Sequence, residues 1–513
     1  MKLSLVMLIV MLFLPGAVEA RGVKVFQIYG DGMVLQHGKP VRISGTAAPG
    51  TEVRVTLNGG TAAAVAGADG VWRSELPPMP PGGPYEIMVT GGGAERKLRN
   101  VMFGEVWICS GQSNMEVRMY EVNSSEREIA AMNHPEIRLF QGNVYWASAE
   151  PLLDFPRSPR WSVCTPEAAR NFSAVACFFA ERLHRELKIP VGVVSVNWGG
   201  SRIEPWISLY GLETSPALQA EYRFAMAKKP GSAINRELTT KALNEQERWL
   251  AQAKRDAAAG KLPAAPPEYP EELKPYVMKG VGYHQKPTLV FNAMIAPLLT
   301  ASFRGVLWYQ GESNYQEGML YKEKLAALMK SWRHEFKAPE LPFYFAQLAP
   351  YIYKGTGREL PELWAAQQAS ADADLHAHMA VLTDLGELRN IHPKNKREVG
   401  IRLAELALQY EYARAIDAEF PYYESHRCNG RELIVKFRNT RALRTRDGKA
   451  PTHFEIAGTD QDFQPATARI IGPEVILTSP RVPEPRFVRF AWHQTAEPNL
   501  CGANGLPAGP FSR

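Results

Sequence analysis

The stretch Val106–Glu116 has the sequence VWICSGQSNME. Its first residues are apolar and β-branched, which predicts a short buried strand, and the pattern that resumes at Met115 is one that a helix can carry. Gly111 permits a sharp turn between the two, and Ser113 then stands beside the free N–H groups of a helix start. A nucleophilic serine is presented in this way, although a serine that only caps a helix fits the same junction.

Strand and helix patterns alternate in the part of the chain after Val101. Continuous apolar runs such as Val191–Asn197 are separated by helical patterns such as Ala174–Leu187. This alternation predicts an α/β fold with a doubly wound parallel sheet, in which sites form at the carboxyl ends of strands. The polar residues expected at these strand ends are Ser113, Asn197, Gln310 and Asp384.

Changes in composition and periodicity along the chain predict four segments. Residues 1–20 have the charged start, apolar middle and small-residue end of a signal peptide, so we expect a secreted or periplasmic protein with no membrane anchor after cleavage. Short strands between Gly and Pro turns predict antiparallel β domains at 21–100 and 416–513, which either stay separate or pair with each other. The α/β domain at 101–415 carries a charged, Pro-rich insertion at 208–285.

Charge and cysteine content exclude some classes of partner and cofactor. The net charge of +6 comes from 59 basic and 53 acidic residues without a basic run among aromatics, so we expect no nucleic-acid partner. Export permits disulfides, and Cys428 with Cys501 is the pair to test first among the five cysteines. His376 and His378 form an HxH without an evident third ligand, so we expect surface histidines and no metal site.

Two glycine-bearing turns follow later strands of the predicted sheet. They are VNWGGS at Val196–Ser201 and WYQGESN at Trp308–Asn314. Acyl transfer needs hydrogen-bond donors aimed at the oxyanion, and a glycine N–H and a side-chain amide supply such donors. Each turn by itself also fits a tight turn that simply needs glycine.

The last element is DLGELRNIHPKNKREVG at Asp384–Gly400. His392 lies in a loop fixed by Pro393, before a helix that Asn395 and Glu398 are placed to cap. A rigidly held histidine suits a general base, and a buried carboxylate would orient its ring. Because the serine, the two turns and this loop all follow strands, we interpret His392 as the base.

These four stretches resemble the four blocks of the SGNH hydrolase superfamily, and specifically the sialate O-acetylesterase family. The resemblance extends to MVLQ, NWGGSRIEPW, FNAMIAPL, WYQGESN and the terminal GLPAGPF, and so it covers nearly the whole mature chain. It implies a flavodoxin-like SGNH hydrolase core at 101–415 with β domains attached. It also implies an esterase that removes acetyl groups from sugar hydroxyls without a metal or organic cofactor.

The resemblance assigns roles by position. It implies that Ser113 is the nucleophile and His392 the base. In the wider superfamily an Asp stands three residues before the histidine, but Arg389 occupies that position here. Asp384 is the available carboxylate, and the alternatives are a backbone carbonyl that orients His392 or a Ser–His dyad. The implied oxyanion donors are the Ser113 N–H, Gly199 or Gly200, and Gln310 in preference to Asn314.

The substrate implied by the resemblance is an acetylated carbohydrate. It is either an oligosaccharide from a plant polysaccharide such as xylan or xyloglucan, which we favour for an exported protein with β appendages, or an O-acetylated sialic acid. The residues expected to bind it, because they border the blocks, are Trp198, Arg202, Tyr309 and Glu312. A non-catalytic carbohydrate-binding protein is the alternative and predicts glycan binding without acetate release. A general lipase or arylesterase would prefer longer acyl chains.

Overall fold

The structure is a computed structural model, and it describes residues 22–123, 125–274, 276 and 282–513. The signal peptide expected at 1–20 therefore lies outside the described residues. Within those ranges, no helix combines the length and the apolar character needed to cross a membrane.

The N-terminal strands form two sheets, one of which continues into the centre of the molecule. The strands are β1 (Lys24–Val25), β2 (Val34–Gln36), β3 (Val41–Thr46), β4 (Glu52–Leu57), β5 (Gly60–Val65), β6 (Val71–Leu76), β7 (Gly82–Gly91) and β8 (Ala94–Gly111). Strands β1, β3 and β6 form a separate sheet, whereas β7 pairs antiparallel with the first part of β8. The predicted boundary at residue 100 therefore falls inside one strand of 18 residues.

The second part of β8 lies in the middle of a sheet built from apolar strands. The further strands are β9 (His134–Gln141), β10 (Trp161–Cys164), β11 (Val191–Asn197), β12 (Gly305–Tyr309), β13 (Phe343–Ala346) and β14 (Ala377–Ala380). Their order across the sheet is β10-β9-β11-β8-β12-β13-β14, and every pair except β10 with β9 is parallel. All residues of β11, β12 and β13 are buried, as expected for strands covered on both faces. The molecule is thus a mixed α/β protein with one large mixed sheet.

The helices connect the strands and cover the sheet. Those described are α1 (Ser113–Glu116), α2 (Ser125–Ala131), α3 (Pro166–Arg170), α4 (Ala174–Leu187), α5 (Leu209–Glu213), α6 (Gln219–Ala227), α7 (Ala233–Ala258), α8 (Leu320–Glu335), α9 (Glu359–Asp372) and α10 (Lys396–Tyr410). Asn395 caps α10, because its side chain accepts from the Glu398 N–H. Helix α10 packs closely on α4, since a Cβ at Gly400 would lie 2.7 Å from the Val175 carbonyl oxygen.

The ends of three central strands are aligned on one residue. In the ladders that flank β8, Gly111 is paired with Asn197 on one side and with Tyr309 on the other. The three loops that follow these strands, which begin at residues 112, 198 and 310, therefore leave the sheet at the same level. Side chains from all three loops meet there.

The C-terminal strands form a separate β region with its own apolar core. They are β15 (Tyr422–Asn429), β16 (Glu432–Arg438), β17 (Leu443–Thr445), β18 (Phe454–Ala457), β19 (Gln464–Pro465), β20 (Thr467–Ile471), β21 (Glu474–Thr478), β22 (Phe487–Phe490), β23 (Leu500–Gly502) and β24 (Phe511–Ser512). None of these strands pairs with a described strand before residue 422. The N-terminal strands share the core of the central sheet, whereas the C-terminal strands pack around Phe437 and Phe490. The two β segments are therefore not one domain.

The cysteines do not form the pair singled out from the sequence. All five lie in the described part of the chain and all are free. The Cys428 thiol donates to the Pro485 carbonyl at 3.0 Å, and the Cys501 thiol donates to the Arg444 carbonyl at 3.5 Å. Cys428 and Cys501, the pair to test first, are thus not bonded in this structure, and each thiol has a different backbone partner.

Asp384 connects the central sheet, a helix and the C-terminal region. Its two carboxylate oxygens accept from the Arg402 guanidinium in α10, both at 2.7 Å, and Arg446 of the C-terminal region lies 3.2 Å away. The side chains of Asp384 and Arg402 are 7% and 4% exposed. No hydrogen bond between Asp384 and His392 occurs among the described residues. The expectation that Asp384 orients His392 is therefore wrong, because two arginines hold its carboxylate.

Replacing Gly111 with Ala tests the close approach of the central strands. A Cβ there would lie 2.1 Å from the Tyr309 carbonyl oxygen, at a φ of +143°. We expect Gly111→Ala to lower the free energy of unfolding by more than about 2 kcal/mol, measured by chemical denaturation. Gly30→Ala, which meets open space, is the control and should change it by less than about 0.5 kcal/mol. Equal stabilities of the two variants would contradict this packing.

Replacing Asp384 with Asn tests the ion cluster. The change removes the carboxylate that pairs with both terminal nitrogens of the buried Arg402 guanidinium and leaves only the part-exposed Glu398, so the free energy of unfolding should fall by about 3 kcal/mol. Asp372→Asn is the matched control, since Asp372 and its partner Arg438 are 43% and 39% exposed and their pair should contribute less than about 1 kcal/mol. Thermal or urea denaturation gives both values. A loss for Asp384→Asn no larger than that of the control would contradict the assignment.

Candidate active site

Ser113 and His392 meet at the level where the central strands end. Ser113 Oγ lies 2.7 Å from Nε2 of His392, a hydrogen-bond distance between residues 279 positions apart in the chain. Both side chains are half-buried. The structure therefore brings together the two residues that the sequence predicts as nucleophile and base.

The helix that begins at Ser113 is shorter than the sequence pattern suggests. Gln112 precedes it with an extended backbone, and its carbonyl accepts from the N–H groups of Met115 and Glu116 at 2.9 and 3.2 Å. Helix α1 then ends at Glu116, and a 3₁₀ turn follows at Met119–Glu121. Ser113 thus stands on a single helical turn at the end of a buried strand.

The turn Val196–Ser201, which we call the second block, lies against Ser113. A Cβ built at Gly199 would be 3.5 Å from Cβ of Ser113, so the glycine permits this approach. The Gly199 N–H donates at 3.0 Å to the carboxylate of Glu116, which also accepts from the Tyr145 hydroxyl. Gly200 is exposed and has a φ of +72°. The predicted oxyanion donor Gly199 is thus beside the serine, with a carboxylate as its present acceptor.

The third block is the turn Trp308–Asn314, and its side-chain amides donate their hydrogen bonds inside the protein. Nε2 of Gln310 donates to the Ser201 carbonyl at 3.1 Å and to Oδ1 of Asn314 at 2.8 Å. Nδ2 of Asn314 in turn donates to the carboxylates of Glu204 and Glu317, at 3.3 and 3.0 Å. Each amide group uses its donors inside the protein, so the expectation that Gln310 or Asn314 serves the oxyanion is not met by this geometry.

Two residues next to Ser113 have roles that the sequence interpretation missed. Oε1 of Gln112 accepts from the Gly311 N–H at 3.2 Å. This hydrogen bond holds the third block against the stretch Val106–Glu116. Asn114 donates to the Ile391 carbonyl at 2.9 Å and to the Glu312 carboxylate. The only available signal was their position in the GQSN segment itself.

Trp198 belongs to an aromatic cluster beside Gly199. Its ring stacks on that of His284, with centroids 4.9 Å apart and an angle of 7°, and the rings of Tyr145 and Tyr283 meet it edge-on. All four side chains are half-buried. The cluster adjoins Gly199, which lies against Ser113, so Trp198 stays a candidate for sugar contact.

The other predicted substrate-binding residues are engaged inside the protein. Tyr309 is 1% exposed and Glu312 is 7% exposed. The Arg202 guanidinium donates to the carboxylates of Glu204 and Glu317 and to the Ser313 carbonyl. Tyr309 and Glu312 therefore leave little surface for a ligand, whereas the Arg202 side chain is 36% exposed and stays a candidate for substrate contact.

The end of the insertion reaches the second-block turn. Nε2 of Gln285 donates to the Gly200 carbonyl at 2.6 Å, and its Oε1 accepts from the Arg202 N–H at 2.8 Å. His284, the preceding residue, supplies the ring that stacks on Trp198. Residues at the end of 208–285 therefore help to form this side of the site, whereas most of α7 is exposed or half-exposed.

The electrostatic surroundings favour a neutral His392. Burial lowers the pKa of His392 below its ordinary value of 6.5, and the positive charge of Lys396 lowers it further. The carboxylate of Glu121 acts in the opposite direction. A neutral imidazole at hydrogen-bond distance from a serine hydroxyl can accept its proton, which is what general-base activation of a nucleophile requires.

The histidine pair considered for a metal has another environment. The His378 ring stacks on Tyr344 and on Tyr410, with centroid distances of 5.2 and 3.7 Å, and burial lowers its pKa to about 4. Over the ranges that the structure describes, no group of three or more His, Cys, Asp or Glu side chains is arranged to hold a metal ion. His378 is therefore a packed aromatic residue.

A family model supports a relationship to carbohydrate esterases. The model described as a carbohydrate esterase, sialic acid-specific acetylesterase, matches residues 103–236 and 281–409, which together make up just over half of the 513 residues. The matched ranges contain Ser113, Gly199 and His392. The unmatched stretch between them covers most of α7.

Individual relatives agree with the family model. The chain is 29% identical over 417 residues to the sialate O-acetylesterase of Mus musculus, an alignment that covers 74% of this chain and 72% of the mouse protein. It is 29% identical over 419 residues to that of Rattus norvegicus, with the same coverage. The structure of a carbohydrate acetylesterase from Xanthomonas citri is similar with a TM-score of 0.80 and 30% identity, and the match covers 96% of this chain and 99% of that one. The chain therefore belongs to the sialic acid-specific acetylesterase family of carbohydrate esterases, and it is a carboxylic ester hydrolase.

Proposed function

We propose that the protein is a serine carbohydrate O-acetylesterase in which Ser113 is the nucleophile and His392 the general base. Nε2 of His392 takes the hydroxyl proton while Oγ attacks the acetyl carbonyl. The bond to the sugar oxygen then breaks, and the imidazolium returns the proton to that oxygen. Water hydrolyses the acetyl-serine by the reverse roles and releases acetate. The observation that carries the proposal is the 2.7 Å contact between Oγ and Nε2.

The oxyanion formed in this reaction would use backbone donors. The N–H of Ser113 belongs to the first turn of α1 and has no acceptor within that helix. The Gly199 N–H lies beside Ser113 and now donates to Glu116. In the proposed reaction the oxyanion replaces the Glu116 carboxylate as acceptor, so that two backbone N–H groups stabilise it.

We also propose that the core is of the flavodoxin-like SGNH type. The four strands that precede the motif loops, together with β13, have the spatial order β11-β8-β12-β13-β14, and all are parallel. This is the order 2-1-3-4-5 of doubly wound flavodoxin-like sheets, with β9 and β10 added at the edge. The strand order changes direction at β8, and Ser113 lies in the loop that follows this strand.

For the substrate we propose acetylated oligosaccharides from plant polysaccharides such as xylan or xyloglucan. O-Acetylated sialic acid is the second candidate, because the mammalian relatives carry that name. A sialic acid would require a cation for its carboxylate, and Arg202 is already paired with Glu204 and Glu317. This pairing favours a neutral sugar beside Trp198.

The segment at 1–20 supports a secreted or periplasmic location.

Replacing Ser113 with Ala tests the nucleophile. Acetate release from acetylated xylan, xyloglucan oligosaccharides and O-acetylated sialic acid should fall by at least about 10³-fold in kcat, because no oxygen remains to form the acetyl-enzyme. Ser162→Ala, on the exposed face of β10, is the control and should behave as the wild type. Ordinary turnover in Ser113→Ala would exclude this mechanism. Glycan binding without acetate release in the wild type would point to a binding protein instead.

The pH dependence of turnover tests the base. Only neutral His392 can take the proton, and its pKa lies below 6.5, so kcat/KM should stay high below pH 6.5 and fall only as the pH drops through the lowered value. The acidic limb of the pH profile, measured with an acetylated oligosaccharide, gives this pKa. A limb centred above pH 6.5 would contradict the environment described for His392.

A further inference from the structure

A series of buried polar groups lies next to Ser113 and His392 and has no part in the proposed reaction. Nζ of Lys396 donates to Oδ1 of Asn114, whose Nδ2 donates to the Glu312 carboxylate. Lys396, Asn114 and Glu312 are 1%, 2% and 7% exposed. We call these three side chains the buried network.

Burying the network is costly for the fold. Moving an ammonium and a carboxylate out of water carries a large desolvation cost, and apolar side chains of the same size would often be as stable. Burial lowers the pKa of Lys396 to about 7 and raises the pKa of Glu312. Oε2 of Glu312 has no hydrogen-bond partner in the described structure. Such groups are poor stabilisers of a core, so their position points to a role at the site.

The network joins the two loops that carry the reacting pair. Asn114 follows Ser113 directly, and its amide donates at 2.9 Å to the carbonyl of Ile391, the residue before His392. One side chain thus connects segments 277 positions apart. A displacement of about 1 Å between reacting groups can reduce a rate by roughly 10²-fold, so this connection sets the distance on which proton transfer depends.

Lys396 also places a positive charge near the imidazole. Its pKa of about 7 means that it is protonated at lower pH, in the range where His392 titrates. The ammonium lies 5.3 Å from the centroid of the Tyr309 ring and is shielded from water. The other charged groups that act on His392 or Lys396 are Glu121 of the 3₁₀ turn, Glu312 of the third block and Glu387 of the histidine loop.

We propose that Asn114 and Lys396 are positioning residues for the Ser113–His392 pair: Asn114 holds the backbone of the histidine loop, and Lys396 holds Asn114 by a hydrogen bond and keeps a positive charge beside the residue that joins the two loops. The inference rests on the proposed function and extends it. Within the described residues no carboxylate hydrogen-bonds the His392 ring, and Glu121, Glu312 and Glu387 offset the positive charge of Lys396 only in part. That charge disfavours the imidazolium, which therefore passes its proton more readily to the departing sugar oxygen.

Titration of His392 by NMR in wild type and in Lys396→Met tests the charge. The imidazole signal is assigned by its absence in His392→Asn. We expect the pKa of His392 to rise in Lys396→Met and the acidic limb of kcat/KM to move to higher pH with it, each unit lowering the rate on that limb about tenfold. Lys394→Met removes an exposed charge from the same loop and should leave both unchanged.

Two further variants keep the test independent of folding. Lys396→Met combined with Glu312→Gln removes both buried charges, and it should show the same shift if Lys396→Met alone does not fold. Asn114→Ala should lower kcat by roughly 10²-fold with little change in KM, since it loosens the reacting geometry and not the sugar contacts.

The outcomes separate this inference from the function on which it rests. An unchanged His392 titration in a folded Lys396 variant, or an unchanged kcat in Asn114→Ala, would overturn the positioning role and leave the Ser113→Ala result as it stands. Because the titration needs no turnover, it reports on Lys396 even if Ser113→Ala proves active, which would overturn the proposed function alone.

Discussion

The alignment of three parallel strands on Gly111 is the constraint on which the site depends. Asn197 and Tyr309 pair with this residue from either side, so the loops that follow leave the sheet together. Only a glycine permits the approach of the Tyr309 carbonyl. The fold thereby places Ser113 at the end of the central strands. Helix α10, capped by Asn395, follows the histidine loop, and His392 of that loop contacts Ser113.

The sequence predicted the parts of this arrangement that follow from local pattern. The strand Val191–Asn197 and the helix Ala174–Leu187 have the bounds expected from their apolar periodicity. Strand ends are recognisable because apolar runs stop at glycine and polar residues, and in a parallel sheet such ends share one edge. Ser113 and Gly199 lie where that argument puts them, although the helix after Ser113 is a single turn.

The sequence did not predict which hydrogen-bond or ion-pair partner each buried polar side chain has. Asp384 follows an apolar strand as an orienting carboxylate would, yet two arginines hold it, one of them, Arg446, from the C-terminal region. Gln310 has the expected position but donates to Ser201 and Asn314. Such pairings depend on side chains far away in the chain, and several acceptors of equal chemistry compete for each donor. Local sequence contains no information on which of them lies closest.

Covalent labelling measures the central claim most directly. The protein would be treated with an organophosphorus ester that reacts with activated serines, and the modified residue would be identified by peptide mass spectrometry while esterase activity is followed. The account predicts one modified residue, Ser113, loss of activity in proportion to labelling, and no labelling in His392→Ala. Full labelling of another serine with loss of activity, or intact activity after complete modification of Ser113, would contradict it.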